Sequence, residues 1–357
     1  MTESLIDLVD TSDTLNMSDT SGISDTSGVS SVSGVPDIDP PNIMVDEIDK
    51  LSGVKLRSPY TNLVLSGGST RGISQLGALK QLIRHNLIDF NRLKCVVGVS
   101  VGSLIACLIA LKFSIDQIWD SIMKKDLVRL LNVDFNLLVT HYGVETGKNI
   151  YKIMEGILTK TTKIHRITFK QLYEFTGVHL IVVGSCLTTK GPVYFDHINY
   201  PNFVVSVALR ISISIPGLFV PVVIDGKKYI DGGITDNYPM HLFDKDLDSN
   251  SNSNSNVNDT IGIVVSNECE TNFDCLEQYV MAIMNLFLHN FYYNLDSKYT
   301  KSTINIKKVL KQVNTFNFSV DDITKKELFK IGEESTLEFI KEHIPMTLIR
   351  EDPFGSN

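Results

Sequence analysis

From Thr61 onward, short apolar runs alternate with longer stretches in which apolar positions recur every third or fourth residue. Thr61–Ser66 reads as a buried strand. After a glycine-rich turn, Ile73, Leu76, Leu79, Leu82 and Ile83 fall at helical spacing. A second strand, Lys94–Val99, runs straight into Ser100 and an apolar helix from Val101. Ser114 and Gln117 form a capping-box pattern for the next helix, through Trp119 and Met123. Further strands are predicted at His179–Cys186, Val193–Asp196, Tyr229–Asp231 and Thr260–Ser266, and a helix at Thr324–Ile344 with a Thr324…Glu327 capping box. Strands alternating with helices predict an α/β fold: a mostly parallel central sheet with helices on both faces.

Two stretches break this texture. Residues 1–55 repeat Ser-Asp-Thr-Ser-Gly at 18–22 and 24–28 and contain no aromatic residue. They bury too little apolar area to offset the entropy of ordering and are expected to be disordered. Asp248–Asn258, a Ser/Asn run, is expected to be a surface loop inserted within a domain. The expected organisation is an acidic segment 1–55, one catalytic domain 56–345 and a tail 346–357.

Charge changes the picture once it is divided. The net charge of −8 hides 11 acidic residues and no basic ones in residues 1–49, which leaves 30 acids against 33 bases in the remainder. A weakly basic body lacks the strong basic stripe of a nucleic-acid binder, so no nucleic-acid partner is expected. Cys95, Cys107, Cys186, Cys269 and Cys275 show no paired spacing, which argues against a disulfide framework or a metal site and for a reduced, cytoplasmic setting. No signal peptide is recognisable. The uncharged run Val101–Leu111 is too short to span a bilayer.

Three motifs carry candidate chemistry. Gly98-Val-Ser100-Val-Gly102 stands between an apolar strand and an apolar helix, where small flanking residues permit a sharp turn that exposes a serine hydroxyl. Ser66-Gly-Gly-Ser-Thr-Arg-Gly72 also joins a strand to a helix, and its glycines can free backbone N–H groups to hold an anion. It fails as a dinucleotide fingerprint because Ser69 occupies the second glycine position, and as a Walker A loop because Ile73 stands where lysine must be. Asp231-Gly232-Gly233 ends a strand-like run and precedes Ile234–Pro239. Alone, such a sequence is more often a turn than a catalytic group.

Together, in this order, the three resemble the patatin-like phospholipase family: a loop of form G-G-G-x-R/K-G, then G-x-S-x-G, then D-G-G/A. Gly67, Gly68, Ser69, Arg71 and Gly72 match the first, Gly98, Ser100 and Gly102 the second, and Asp231, Gly232 and Gly233 the third. Ser212–Pro221 is similar to the segment that the family places before its aspartate, so the resemblance covers about residues 61–245. It implies a three-layer α/β architecture and a lipid acyl hydrolase of phospholipase A type without cofactor or metal. Ser100 would be the nucleophile, Asp231 the general base, and the backbone amides of Gly67, Gly68 and Ser69 the oxyanion hole. Arg71 would orient the loop or meet a lipid phosphate.

The implied partners are a phospholipid or other acyl lipid and, transiently, a membrane surface. A carboxylesterase or triacylglycerol lipase on the same pair, and a silent lipid-binding protein, remain alternatives. One departure matters: Ser69 replaces the family's third glycine, and a positive φ there would strain it. His241, His289 and His343 follow Asp231, so chain order leaves a Ser–Asp–His triad open. Phe287–Tyr293 reads as core, as an acyl-cleft wall or as a membrane contact.

Overall fold

The structure, a computed structural model, describes residues 59–124, 132–244, 259–266, 298–307 and 320–344. Residues 1–55, the 248–258 run, Phe287–Tyr293, His289, Cys269, Cys275 and the tail from 346 lie outside the described residues.

In chain order the strands are β1 (Asn62–Leu65), β2 (Cys95–Val99), β3 (Gly143–Glu145), β4 (His179–Cys186), β5 (Gly191–Phe195), β6 (Gly217–Phe219), β7 (Val222–Ile224), β8 (Lys227–Asp231), β9 (Thr260–Val265) and β10 (Thr303–Ile306). The helices are α1 (Ile73–Arg84), α2 (Val101–Ala110), α3 (Ile115–Lys124), α4 (Asn136–His141), α5 (Lys148–Thr162), α6 (Phe169–Thr176), α7 (Val205–Ser212) and α8 (Asp322–His343). The main sheet runs β10-β9-β1-β2-β4-β8-β7, with β5 also beside β4, and β3 and β6 form a separate parallel pair. From β10 to β4 every pairing is parallel; β5, β8 and β7 join antiparallel. The fold is therefore α/β with a mostly parallel central sheet.

The central strands are buried on both sides, which is why β1 and β2 read as continuous apolar runs. Leu63, Leu65, Val96, Leu180 and Val182 face the main core, together with α1, α2 and α7. Val64, Val97, Val99 and Val183 face the other way, against Tyr238, Met240, Phe243 and Tyr299. Helix α2 is apolar around nearly its whole circumference because neighbours enclose it.

The Ser114–Gln117 capping box forms as expected: the Gln117 N–H donates to Ser114 Oγ at 3.2 Å and the Ser114 N–H to Gln117 Oε1 at 2.8 Å. The Thr324 box does not. Helix α8 begins two residues earlier, and the Asp321 carboxylate is the cap, accepting from the Thr324 N–H at 2.7 Å. A charged oxygen at the positive end of the helix dipole outcompetes a hydroxyl one turn further in.

Candidate active site

Strand register brings the three motifs to one level. Leu65 pairs with Gly98 and Val99 with Val183, so Gly67, Ser100 and Gly184 follow one another across β1, β2 and β4. Gly184 in turn pairs with Asp231. Two strand spacings, about 10 Å of backbone, separate Ser100 from Asp231, and their side chains extend into that gap.

Ser100 occupies the single residue between β2 and α2, at φ 52° and ψ −129°. This is a strained left-handed position for a residue with a side chain. Close backbone approach imposes it. A Cβ on Gly98 would lie 2.5 Å from Gly102 O, and one on Gly102 would lie 2.5 Å from Ser66 O. The Ser100 N–H donates to Ser212 Oγ at 2.9 Å, and Ser103 Oγ donates to Ser100 O at 2.6 Å. Hydrogen bonds thus fix the backbone on both sides of the hydroxyl.

Asp231 is buried. Its N–H donates to Ser214 O at 2.9 Å, and its Oδ1 accepts from the Gly233 N–H at 2.7 Å. Burial pushes the carboxyl up to about 7, and donation from the Ser100 side chain and the Gly233 N–H offsets only part of that push. The Ser100 contact is loose: Oδ2 completes no hydrogen bond of full geometry. A hydroxyl beside a carboxylate whose proton affinity lies near neutrality can be activated by losing its proton to that carboxylate.

The glycine-rich loop differs from expectation in one donor. The Gly67 N–H, counted above among the oxyanion donors, instead donates to Asn237 Oδ1 at 3.1 Å. Gly68 and Ser69 remain from the three, and Ser69 has φ 51°, the strain its substitution for glycine foretold. Arg71 is buried, and its backbone N–H donates to Gly68 O at 3.1 Å, closing the turn.

Two groups of residues were missed. Asn237 touches both glycine motifs: a Cβ on Gly67 or Gly233 would come within 2.5 or 2.7 Å of its Oδ1. Arg210, buried in α7, donates to Thr146 O, Val220 O and Ser214 Oγ at 2.6–2.9 Å, tying the segment before Asp231 to the α5 corner. The partners that give these side chains their place, Gly67 for Asn237 and Thr146 for Arg210, lie 170 and 64 positions away, so no local pattern announces them.

Ser100 and Ser69 stand at the rim of a cavity of about 240 Å³. Its walls are aliphatic: Leu104, Ile105 and Leu108 from α2, Ile118 and Ile122 from α3, Ile150, Ile153, Met154 and Ile157 from α5, then Ile213, Ile215 and Phe219. The four α5 residues form an i, i+3, i+4, i+7 stripe, a signal present in the sequence.

The seven described histidines make their recorded contacts elsewhere: His241 with Asp236 and Tyr194, His343 with Phe339, and His85, His141, His165, His179 and His197 with groups outside this site. Among the described residues, no group of three or more His, Cys, Asp or Glu is arranged to hold a metal, and no helix is long and apolar enough to cross a membrane.

A profile of the family described as patatin-like phospholipase matches residues 63–244. An uncharacterized protein of Acanthamoeba polyphaga mimivirus is 32% identical over 296 residues, which is 79% of this chain and 94% of that protein. A probable lipid hydrolase of Invertebrate iridescent virus 6 is 32% identical over 188 residues, 51% of this chain and 63% of its own length. Among solved structures, VipD from Legionella pneumophila shares the fold at a TM-score of 0.50 and 17% identity, covering 81% of this chain and 68% of that one. With the profile spanning just over half of the sequence, and with the fold and all three motifs in agreement, the chain belongs to the patatin-like phospholipase family of lipid hydrolases.

Proposed function

We propose that the protein hydrolyses fatty acyl esters of phospholipids or related lipids through a covalent acyl-enzyme on Ser100, with Asp231 as general base. Ser100 Oγ attacks the ester carbonyl as its proton passes to Asp231. The tetrahedral oxyanion is held by the backbone N–H groups of Gly68 and Ser69. Its collapse expels the alcohol, which takes the proton from Asp231. Water, losing its proton to the same carboxylate, then attacks the acyl-enzyme, and collapse releases the fatty acid as the proton returns from Asp231 to Ser100 Oγ.

The observation that carries this reading is the location of the strained Ser100, beside a fully buried carboxylate and at the rim of an aliphatic cavity. Burial supplies the base strength that a histidine would supply in a triad. A largely apolar wall recognises an alkyl chain and not a head group, so neutral glycerides are a second substrate class for the same pair.

Purified protein assayed against phospholipids, lysophospholipids and triacylglycerols, with products identified by mass spectrometry, tests the proposal. Fatty acid release that disappears in Ser100→Ala and falls by about 10³-fold or more in Asp231→Asn is the expected result. Release that persists in Ser100→Ala would overturn it. Binding of lipid with no turnover on any substrate would make the protein a silent lipid binder.

A further inference from the structure

Helix α4 is unusual in burying none of its residues. Phe135, just before it, is 76% exposed and Val139 is 84% exposed. Phe135 and Val139 are spaced i, i+4 on one face, and Tyr142, the left-handed residue that ends the helix, is 59% exposed just beyond them. Water alone gives no reason to keep such a stripe exposed.

The stripe continues onto the sheet edge. Lys228 Nζ lies over the Tyr142 ring at 4.9 Å from its centroid, and Tyr142, Lys228 and Leu187 border a shared surface hollow with Pro216 and Pro221. Val223 pairs directly with Lys228 in the β7–β8 ladder, so the two side chains project from the same face. Phe135, Val139, Tyr142, Leu187 and Val223 are all more than one-third exposed; the last three gather around Lys228, and Phe135 and Val139 lie on the helix that leads into Tyr142. Exposed Lys190 closes the turn that begins at Leu187, whereas Lys227, paired with Ile224, projects from the opposite face of β8. The nearby acid Asp134 turns its carboxylate back to cap the Asn136 N–H at 2.9 Å. Asp225, at the tip of the β7–β8 turn, is a further exposed acid.

This surface also adjoins the active-site cavity. Strand β3, which follows Tyr142, pairs with β6, whose Phe219 lines that cavity, and Pro216 and Pro221 flank β6.

We infer that the face formed by Phe135, Val139, Tyr142, Leu187, Val223 and Lys228 seats the protein on a lipid bilayer containing anionic phospholipids. The inference rests on the lipid hydrolase reading above. The apolar side chains enter the zone between head groups and acyl chains while the lysines meet phosphates. A substrate acyl chain then leaves the bilayer next to the ribbon that walls the cavity. An exposed apolar face with Lys228 and Lys190 beside it suits such a surface, and the β3–β6 ribbon that links it to the wall of the acyl cavity favours a lipid over a protein partner.

The test uses full-length Ser100→Ala protein, so that binding is read without hydrolysis, in flotation with vesicles of phosphatidylcholine alone or mixed with phosphatidylserine. Binding is expected to the mixed vesicles and to be weakened about 100-fold in Phe135→Asp/Val139→Asp. Lys228→Gln weakens it about fivefold, and only on anionic vesicles. Ile323→Asp, an equally exposed apolar residue on α8 at 76%, leaves binding unchanged. The double variant with Ser100 restored keeps full turnover of a monomeric short-chain ester, which shows that it folds. The inference is overturned if the protein floats with neither vesicle, if the double variant binds like its parent, or if Ile323→Asp is equally impaired. Loss of ester turnover in the Ser100 protein would instead count against the hydrolase reading.

Discussion

Two neighbouring parallel strands each end in a turn that holds a serine at almost the same unfavourable backbone angle, Ser69 at φ 51° and Ser100 at φ 52°. The means differ. At Ser100 the main chain itself enforces the turn, since Gly98 and Gly102 bring backbone against backbone with no room for a methyl group. At Ser69 the loop is longer and side chains tether it. Ser66 Oγ donates to Gly67 O and accepts the Val265 N–H, Gln75 Nε2 donates to Ser66 O, and Asn237 Oδ1 accepts the Gly67 N–H, all at 2.8–3.1 Å. A turn closed by steric fit is stiff and tolerates no substitution at its glycines. A turn tied by hydrogen bonds can be loosened one bond at a time. That division puts the proposed nucleophile on the stiffer turn and the proposed oxyanion donors on a loop that hydrogen bonds hold in place.

The largest effect should come from the stiff turn. Gly102→Ala sets a Cβ within 2.6 Å of two carbonyl oxygens and is expected to cost about 3 kcal/mol or more. Thermal unfolding would read this as a fall in Tm of about 10 °C. A variant with unchanged Tm would remove the steric half of the comparison.

Next comes the tether. Asn237→Ala frees the Gly67 N–H inside the protein and releases the loop from the Asp231 motif. Turnover should fall about 10- to 100-fold with the Tm lowered by only a few degrees, read by parallel kinetics and melting. Equal losses in Gln75→Ala would assign the effect to the loop as a whole and not to Asn237.

The smallest effect is a gain. Ser69→Gly relieves a left-handed serine and should stabilise the protein by about 1 kcal/mol, with turnover equal or slightly higher. A loss on both measures would mean that the Ser69 side chain contributes something its backbone angle does not reveal.

This contrast also explains what the sequence made legible. The Ser100 turn is local: strand, Gly-x-Ser-x-Gly and helix are contiguous, so the motif carries its own geometry. The Ser69 loop was legible as a turn, including its strain, but not in its donors, because the partner that claims the Gly67 N–H is Asn237, 170 positions away. Ser212 and Arg210 escaped for the same reason: a serine that receives the Ser100 N–H and an arginine that binds carbonyls from other elements leave no periodic trace. The stripe on α5 and the β3–β6 pair differ again. The first was visible at helical spacing and not drawn. The second has three-residue strands, too short for any alternation to register.

The pairing of Ser100 with Asp231 is tested most directly by fluorophosphonate labelling followed across pH. Attack by Ser100 Oγ on phosphorus displaces fluoride, and the site of the adduct can be mapped by mass spectrometry of the digested protein. Because burial raises the Asp231 carboxyl, the proton-accepting form appears only as pH climbs, so the labelling rate should rise through a midpoint near 7. It should become slow and pH-independent over that range in Asp231→Asn. The account predicts one adduct, on Ser100, with that profile. An adduct on another residue, or on Ser100 with a rate indifferent to Asp231, would contradict it.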